Sequence, residues 1–365
     1  MLAKFAVTNF RGFETRIEWD LTKSRNYDFN NFAVKNGIIK NGIIYGPNGC
    51  GKSNFGLAIF DIVYHLTQKF VKPHFFHNYT FATGQSKLVM FEYLFIFDNQ
   101  VIEYTYSKDF RGVLQEEKLI VDKKMIFNRR LGSFEIDLSF PMDENVKYNL
   151  TKNANNVSII NFLISTYPLE QDHYLIKLQN FVNNMLWFRS LEEKEFIGLE
   201  TNIYLLDEYI IRNNLVKDFE KFLTNVSGQG FTFLEHSPGE KILQVYIKGV
   251  PQIFNLIAST GTHALTLLYF WLKHINKASF VFIDEFDAFY HFDLSFNVCA
   301  ELFKQNCQLF MSSHNTYLMT NDLLRPDCNF ILKDNTIKAL CDSTDKELRE
   351  GHNIEKLYRG GTFQI

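Results

Sequence analysis

The sequence predicts an α/β fold with a mixed, largely parallel core sheet, an antiparallel β-meander subdomain and a helical insertion. Three observations carry that expectation. An apolar strand runs through a glycine-rich turn into an amphipathic segment over residues 41–54, a second apolar strand closes on two acids within 279–287, and a third strand-like run follows at 308–311. The stretch between the last two suits a single helix, and a strand, a helix and a second strand make the crossover unit of a parallel sheet. Ligands of such sheets collect outside the carboxyl ends of the strands.

In chain order, residues 2–13 alternate like a strand and end in Asn9-Phe10-Arg11-Gly12-Phe13, and 15–21 form a second strand-like piece. The segment that follows, Gly46-Pro47-Asn48-Gly49-Cys50-Gly51-Lys52-Ser53-Asn54, fits the phosphate-binding loop G-x-x-x-x-G-K-[ST] at every fixed position. Glycines let consecutive backbone N–H groups curl around an anionic phosphate at the positive end of a helix. Lys52 is then placed to reach the β- and γ-phosphates, and Ser53 to hold Mg²⁺. The next segment, from Phe55, has apolar residues at helical spacing and stops before Pro73.

Between 87 and 130 the period changes to that of strands, with breaks at Asp98-Asn99, at 109–112 and at 122–124, which reads as an antiparallel meander. Residues 108–130 carry seven Lys/Arg against four Asp/Glu, the one stretch that suggests a nucleic-acid contact, although a solvated sheet face explains it as well. From 155 to about 226 the pattern is mostly helical without a sustained heptad, so a compact helical insertion is expected and not a coiled-coil arm. Strand-like runs at 231–234 and 241–248 follow. The expected organisation is an N-terminal lobe over 1–154, the helical insertion over 155–230 and a C-terminal lobe over 231–365.

Three motifs in the C-terminal lobe narrow the chemistry. Phe280-Val281-Phe282-Ile283 closes on Asp284-Glu285, where Asp284 can position Mg²⁺ and Glu285 can orient and deprotonate a water. Ser312-Ser313-His314 ends the next strand, and His314 can hydrogen-bond a terminal phosphate. Ser259-Thr260-Gly261-Thr262 precedes an apolar helix, and a serine cap with glycine beside it makes a second phosphate-binding terminus.

Composition adds limits. The chain has 365 residues, enough for a large core, with 46% hydrophobic and 22% charged residues and a net charge of −3, which gives no overall pull toward nucleic acid or anionic membrane. Its 38 phenylalanines read as core built with Phe in place of smaller apolar residues. The five cysteines form no C-x-x-C and no zinc spacing, and so look like reduced thiols of a cytoplasmic protein; Cys50 is a bystander in the phosphate loop. No segment reaches the 18 or so apolar residues of a membrane span.

The order of phosphate loop, S-x-G-T helix, hydrophobic-Asp-Glu strand and strand-end His resembles an ABC-type ATPase head of the group containing SMC, RecF and OLD proteins. Asn9-Phe10-Arg11-Gly12-Phe13 resembles that group too, and the ending Asn353-Ile-Glu-Lys-Leu-Tyr-Arg-Gly-Gly361 is similar to compact bacterial ATPases of anti-phage, abortive-infection operons. The resemblance implies ATP and Mg²⁺ as ligands and two heads facing each other around two nucleotides. It assigns phosphate binding to Lys52 and the loop amides, Mg²⁺ to Ser53 and Asp284, the catalytic carboxylate to Glu285 and the switch to His314. Ser259 and Gly261, with Thr262 behind them, act in the partner's site, and Asp287 lies in the dimer-contact loop. Gln85 is the nearest candidate for the glutamine such ATPases carry after the first helix. The expected function is a regulatory ATPase that restrains or releases a separately encoded toxic effector. The alternative is a RecF-type DNA clamp, with DNA as a possible partner.

Overall fold

A computed structural model describes residues 1–67, 69, 73–84, 87–130, 132–152, 157–189, 196–198, 206–236 and 239–364. Strands β1 (Leu2–Thr8) and β2 (Ile17–Asp20) pair antiparallel, and a small ribbon of β3 (Val34–Lys35) and β4 (Ile38–Ile39) leads into β5 (Asn41–Tyr45). Helix α1 (Lys52–Leu66) follows the phosphate loop. The expected meander is present as β6 (Val89–Phe97), β7 (Gln100–Lys108), β8 (Leu114–Val121), β9 (Lys124–Arg130) and β10 (Ser133–Ile136). Its turns use the residues that break the sequence pattern: Asp122 and Lys123 both adopt positive φ, as a two-residue hairpin loop of the tight, twist-matched type requires. With β1 and β2 these strands form one seven-stranded sheet, ordered β10-β9-β8-β7-β6-β1-β2.

The middle of the chain departs from the sequence reading. Helices α2 (Glu144–Lys152), α3 (Ile159–Thr166) and α4 (Tyr174–Asn183) are followed by strand β11 (Met185–Arg189), the short β12 (Phe196–Gly198), then α5 (Leu206–Arg212) and α6 (Val216–Ser227). The stretch expected to be mostly helical thus contains a core strand, which begins just past the second of its expected helices. Met185, Leu186, Trp187 and Phe188 are all buried, and a short strand apolar on both faces has no alternation to separate it from a helix end. Among the described residues the run at 231–234 makes one bridge, Phe233 to Val245, while β13 (Gln244–Ile247) pairs with β14 (Val250–Ile253), a strand that Pro251 conceals.

The remaining elements are α7 (Phe254–Ile257), α8 (Thr260–Ile275), β15 (Phe280–Asp284), α9 (Phe292–Phe303), β16 (Gln308–Ser313), β17 (Asn329–Lys333), β18 (Thr336–Ala339) and α10 (Ile354–Arg359). The second sheet runs β12-β11-β15-β16-β5-β17-β18, with β11, β15, β16, β5 and β17 all parallel. The carboxyl ends of β5, β15 and β16 therefore lie side by side, and each precedes one of the motifs.

Helix α1 lies between the two sheets. A helix buried on both sides must be apolar nearly all round, and α1 is. On the parallel-sheet side Gly56 permits close approach, since a Cβ there would come within 2.7 Å of the Phe282 ring. On the meander side the contact is polar. Asp61 of α1 accepts from the Lys108 ammonium at 2.5 Å and from the Tyr79 and Tyr106 hydroxyls at 2.5 and 2.8 Å, and all four side chains are buried. One turn on, His65 meets the Tyr104 hydroxyl at 2.6 Å; Tyr104 donates to Glu117, which also pairs with Arg129 at 2.9 Å. These bonds satisfy charges that would otherwise be costly at this depth.

Candidate functional site

The phosphate loop is shaped by two close approaches. A Cβ on Gly46 would sit 2.4 Å from the Leu332 carbonyl oxygen, and one on Gly51 would sit 2.9 Å from the Phe13 ring. Gly51 also holds φ at 100° as the residue capping α1, and Gly49 holds 78°, a region open to glycine at no steric cost. Phe13, the last residue of the opening motif, thus forms a wall of the loop, and Arg11 of the same motif reaches Asn54 at 3.4 Å. Pro47, Asn48 and Gly49 lie exposed at the tip, Cys50 is half-buried, and Ser53 stands in the first turn of α1.

Lys52 is buried and its ammonium is turned into the loop, donating to the carbonyls of Gly46 at 2.8 Å and Pro47 at 3.1 Å. Burial pushes its pKa down from the usual value. Its Nζ lies 3.5 Å from Nδ1 of His314, so the strand-end histidine does face the loop lysine. Burial, and then the Lys52 charge, lowers the His314 pKa, keeping the imidazole neutral near pH 7.

The acids sit at the end of β15. Asp284 is fully buried, with Oδ1 accepting from the Ser312 hydroxyl at 2.7 Å and Oδ2 from Arg189 Nε at 3.0 Å. Glu285 is exposed and adopts φ 49°, uncommon for a residue with a side chain, and its N–H donates to Ser312 Oγ at 2.8 Å. Asp287 accepts from Ser313 Oγ at 2.6 Å, and burial raises its pKa. The two serines before His314 thus pin the acidic turn, a role that sequence reasoning missed although it singled out the run. Arg189 was missed as well; its only signal is a cation ending an apolar run that was not recognised as a strand.

The S-x-G-T segment forms the start of α8. Ser259 caps the helix, its Oγ accepting from the Thr262 N–H at 3.2 Å, and Thr262 donates to the Gln229 side chain at 3.3 Å. Ser259 is exposed, and a Cβ on Gly261 would lie 3.1 Å from the Phe289 carbonyl oxygen, which puts this terminus beside the turn after the acidic pair. No hydrogen bond among the described residues joins Ser259, Gly261 or Thr262 to residues 46–54. Gln85 lies outside the described residues.

Ser53 and Asp284 offer a hydroxyl and a carboxylate, hard oxygen donors of the kind Mg²⁺ takes when it keeps several waters and is completed by substrate phosphates. Among the described residues no group of three His, Cys, Asp or Glu could hold a metal without such added oxygens. The turn into α1, with glycines at 46, 49 and 51 and the Lys52 ammonium directed into the loop, likewise fits a phosphate.

The basic stretch of the meander proves less available than its sequence suggested. Lys108 and Arg129, two of its seven cations, are buried in pairs with Asp61 and Glu117.

Residues 43–320 match the family described as "AAA domain, putative AbiEii toxin, Type IV TA system". The chain belongs to this family. Similar solved structures include the SMC head domain from Thermotoga maritima, at 15% identity and TM-score 0.45, covering 93% of this chain and 98% of that one. Others are an SMC head bound to the C-terminal winged-helix domain of ScpA, at 15% identity and TM-score 0.46 over 93% and 97%, and the SMC head from Pyrococcus furiosus with an extended coiled coil bound to the C-terminal domain of ScpA, at 13% and 0.45 over 92% and 95%. No curated relative matches the chain. Among the described residues of this AAA-domain protein, no helix is long and apolar enough to cross a membrane.

Proposed function

We propose that the chain is an ABC-type ATPase head that binds and hydrolyses Mg²⁺-ATP between two copies of itself, and that it serves as the regulatory subunit of a bacterial anti-phage system with a separately encoded effector. The observation that carries the ATPase reading is the facing of two halves: Lys52 and His314, 3.5 Å apart, beside an acidic turn whose Asp284 and Glu285 are both pinned by Ser312. Lys52 leaves the loop carbonyls for the β- and γ-phosphates, to which the loop amides also donate. Ser53 and Asp284 would hold Mg²⁺, which would supply positive charge to offset that of the phosphates. Glu285, exposed at the strand end, orients a water and takes its proton. Neutral His314 donates to the terminal phosphate and exchanges that bond for one with Lys52 when the phosphate leaves.

The exposed cap at Ser259, unconnected to its own phosphate loop, supports completion of the site by a second copy. The AbiEii toxin–antitoxin description of the family supports the defence setting. A mixing experiment tests both chemistry and assembly. Lys52→Ala and Ser259→Arg chains should each be inactive alone, and mixing them should restore hydrolysis, because a mixed dimer keeps one site with both wild-type halves. No recovery on mixing, with wild-type turnover independent of protein concentration, would sink the two-headed reading. Hydrolysis that requires duplex DNA and falls steeply with salt would replace the regulatory role by that of a DNA clamp.

A further inference from the structure

We propose that Arg189 is the cation held by Asp284 before the metal arrives, and that Mg²⁺ enters this site by displacing it. The inference rests on the Mg²⁺-ATP reading above and adds to it a residue that no motif contains. Arg189 and Asp284 are register partners on the parallel strands β11 and β15, each the last residue of its strand. Their pair therefore forms at the edge of the sheet where β16 and β5 also end. Arg189 Nε takes Oδ2 at 3.0 Å and Ser312 takes Oδ1 at 2.7 Å, so both oxygens of this carboxylate are engaged.

The two side chains differ in exposure. Asp284 is 0% exposed and Arg189 33%, and the guanidinium carbon lies 6.0 Å from the centre of the buried Trp187 ring. A carboxylate at zero exposure needs a positive partner in every state, whereas a guanidinium one-third exposed stays in contact with water when it leaves that carboxylate. Mg²⁺ demands a near-octahedral oxygen shell at about 2.0–2.1 Å, and a guanidinium against the same oxygen excludes that shell. One cation must go as the other comes. Free metal offers Asp284 only an exchange of partners. Metal carrying a triphosphate adds its own oxygens and gives the released guanidinium an anionic acceptor with matching fork geometry. Arg189 thus makes metal and nucleotide bind together and keeps the nucleotide-free site closed to free divalent ions.

The test uses Mn²⁺, a hard octahedral ion visible by electron paramagnetic resonance, with the full-length chain. Without nucleotide, wild type should bind Mn²⁺ weakly, Arg189→Gln should bind it at least tenfold more tightly, and Arg189→Lys, which keeps the charge, should stay within about threefold of wild type. Equal or weaker Mn²⁺ binding by Arg189→Gln with an unchanged melting temperature overturns the proposal. If that variant does not fold, the wild-type protein labelled with ¹⁵N-arginine gives the answer. Its Arg189 Nε–H signal, assigned by its loss in Arg189→Lys, should be protected from solvent without nucleotide and should change both position and exchange rate when Mg²⁺ and a non-hydrolysable ATP analogue are added, as the guanidinium leaves the carboxylate; a signal unmoved in both overturns the proposal. A wild-type chain that binds no nucleotide would instead refute the ATPase reading, while the Mn²⁺ comparison would still report on Arg189.

Discussion

Ser312 Oγ donates to Asp284 at 2.7 Å and accepts from the backbone N–H of Glu285 at 2.8 Å, so a single hydroxyl on one strand fixes both acids on the next. Ser312→Ala removes one hydrogen bond from Asp284 and one from the Glu285 N–H, a loss of about 1–3 kcal/mol of stability. Its larger effect is on turnover, because the Glu285 backbone is released from the position that aims its carboxylate. The expected outcome in steady-state kinetics is a fall in kcat of ten-fold or more with KM for ATP within about threefold. A matching rise in KM with kcat unchanged would show that Ser312 acts in binding alone.

Glu285 itself holds φ at 49°, a left-handed conformation that costs a residue with a side chain on the order of 1 kcal/mol. Strain kept at an exposed carboxylate is consistent with selection for position over stability. Glu285→Gly relieves it, so this variant should match or exceed the wild type in urea unfolding by up to about 1 kcal/mol while losing hydrolysis. Glu285→Gln keeps the strain and should unfold like the wild type while retaining bound ATP. A Gly variant that unfolds earlier than the Gln variant would contradict this account.

Much of this site was legible because its chemistry is local. The phosphate loop, the acid-ended strand and the S-x-G-T cap each consist of consecutive residues. What the sequence concealed is long-range. Arg189 lies 95 positions from Asp284, and β11 carries no alternation because both its faces are buried. The same holds for Phe13, whose ring forbids a side chain at Gly51, and for the serines at 312 and 313, whose partners sit across the strand. In the fold, the meander was readable from its turns, whereas the placement of α1 between two sheets depends on pairs such as Asp61 with Lys108 that no local pattern shows.

That pair yields a third prediction. Lys108 and Asp61 are both buried and 2.5 Å apart, and Asp61 keeps only two neutral hydroxyls if the ammonium is removed. Breaking one side of a buried pair leaves an uncompensated charge and costs about 3–5 kcal/mol, while replacing both partners by apolar groups can be close to neutral. Lys108→Met should therefore destabilise the chain by that amount in urea unfolding. Lys108→Met combined with Asp61→Leu should recover much of the loss, although the Tyr79 and Tyr106 hydroxyls then lose Asp61 as acceptor. A single variant as stable as wild type would mean that the pair contributes nothing to docking of α1.

The neighbouring histidine predicts how stability depends on pH. The Tyr104 hydroxyl donates its one proton to Glu117, so it accepts from His65, which fixes the neutral imidazole with its proton on Nε2. Burial, followed by the charges of Lys108 and Arg129, holds the His65 pKa well below the usual 6.5. The sign follows from proton counts. Above 6.5 the side chain is neutral in both states and its buried form contributes fully; as pH falls below 6.5 the unfolded chain takes up a proton that the folded chain refuses, so stability is lost on acidification. The slope from one such group reaches about 1.4 kcal/mol per pH unit. Urea unfolding between about pH 7 and pH 5 should show this loss in the wild type and a shallower one in His65→Gln, which can still donate to Tyr104 but cannot titrate. Parallel curves for the two proteins would mean that His65 is protonated in the folded state, with Glu117 close enough to hold the charge.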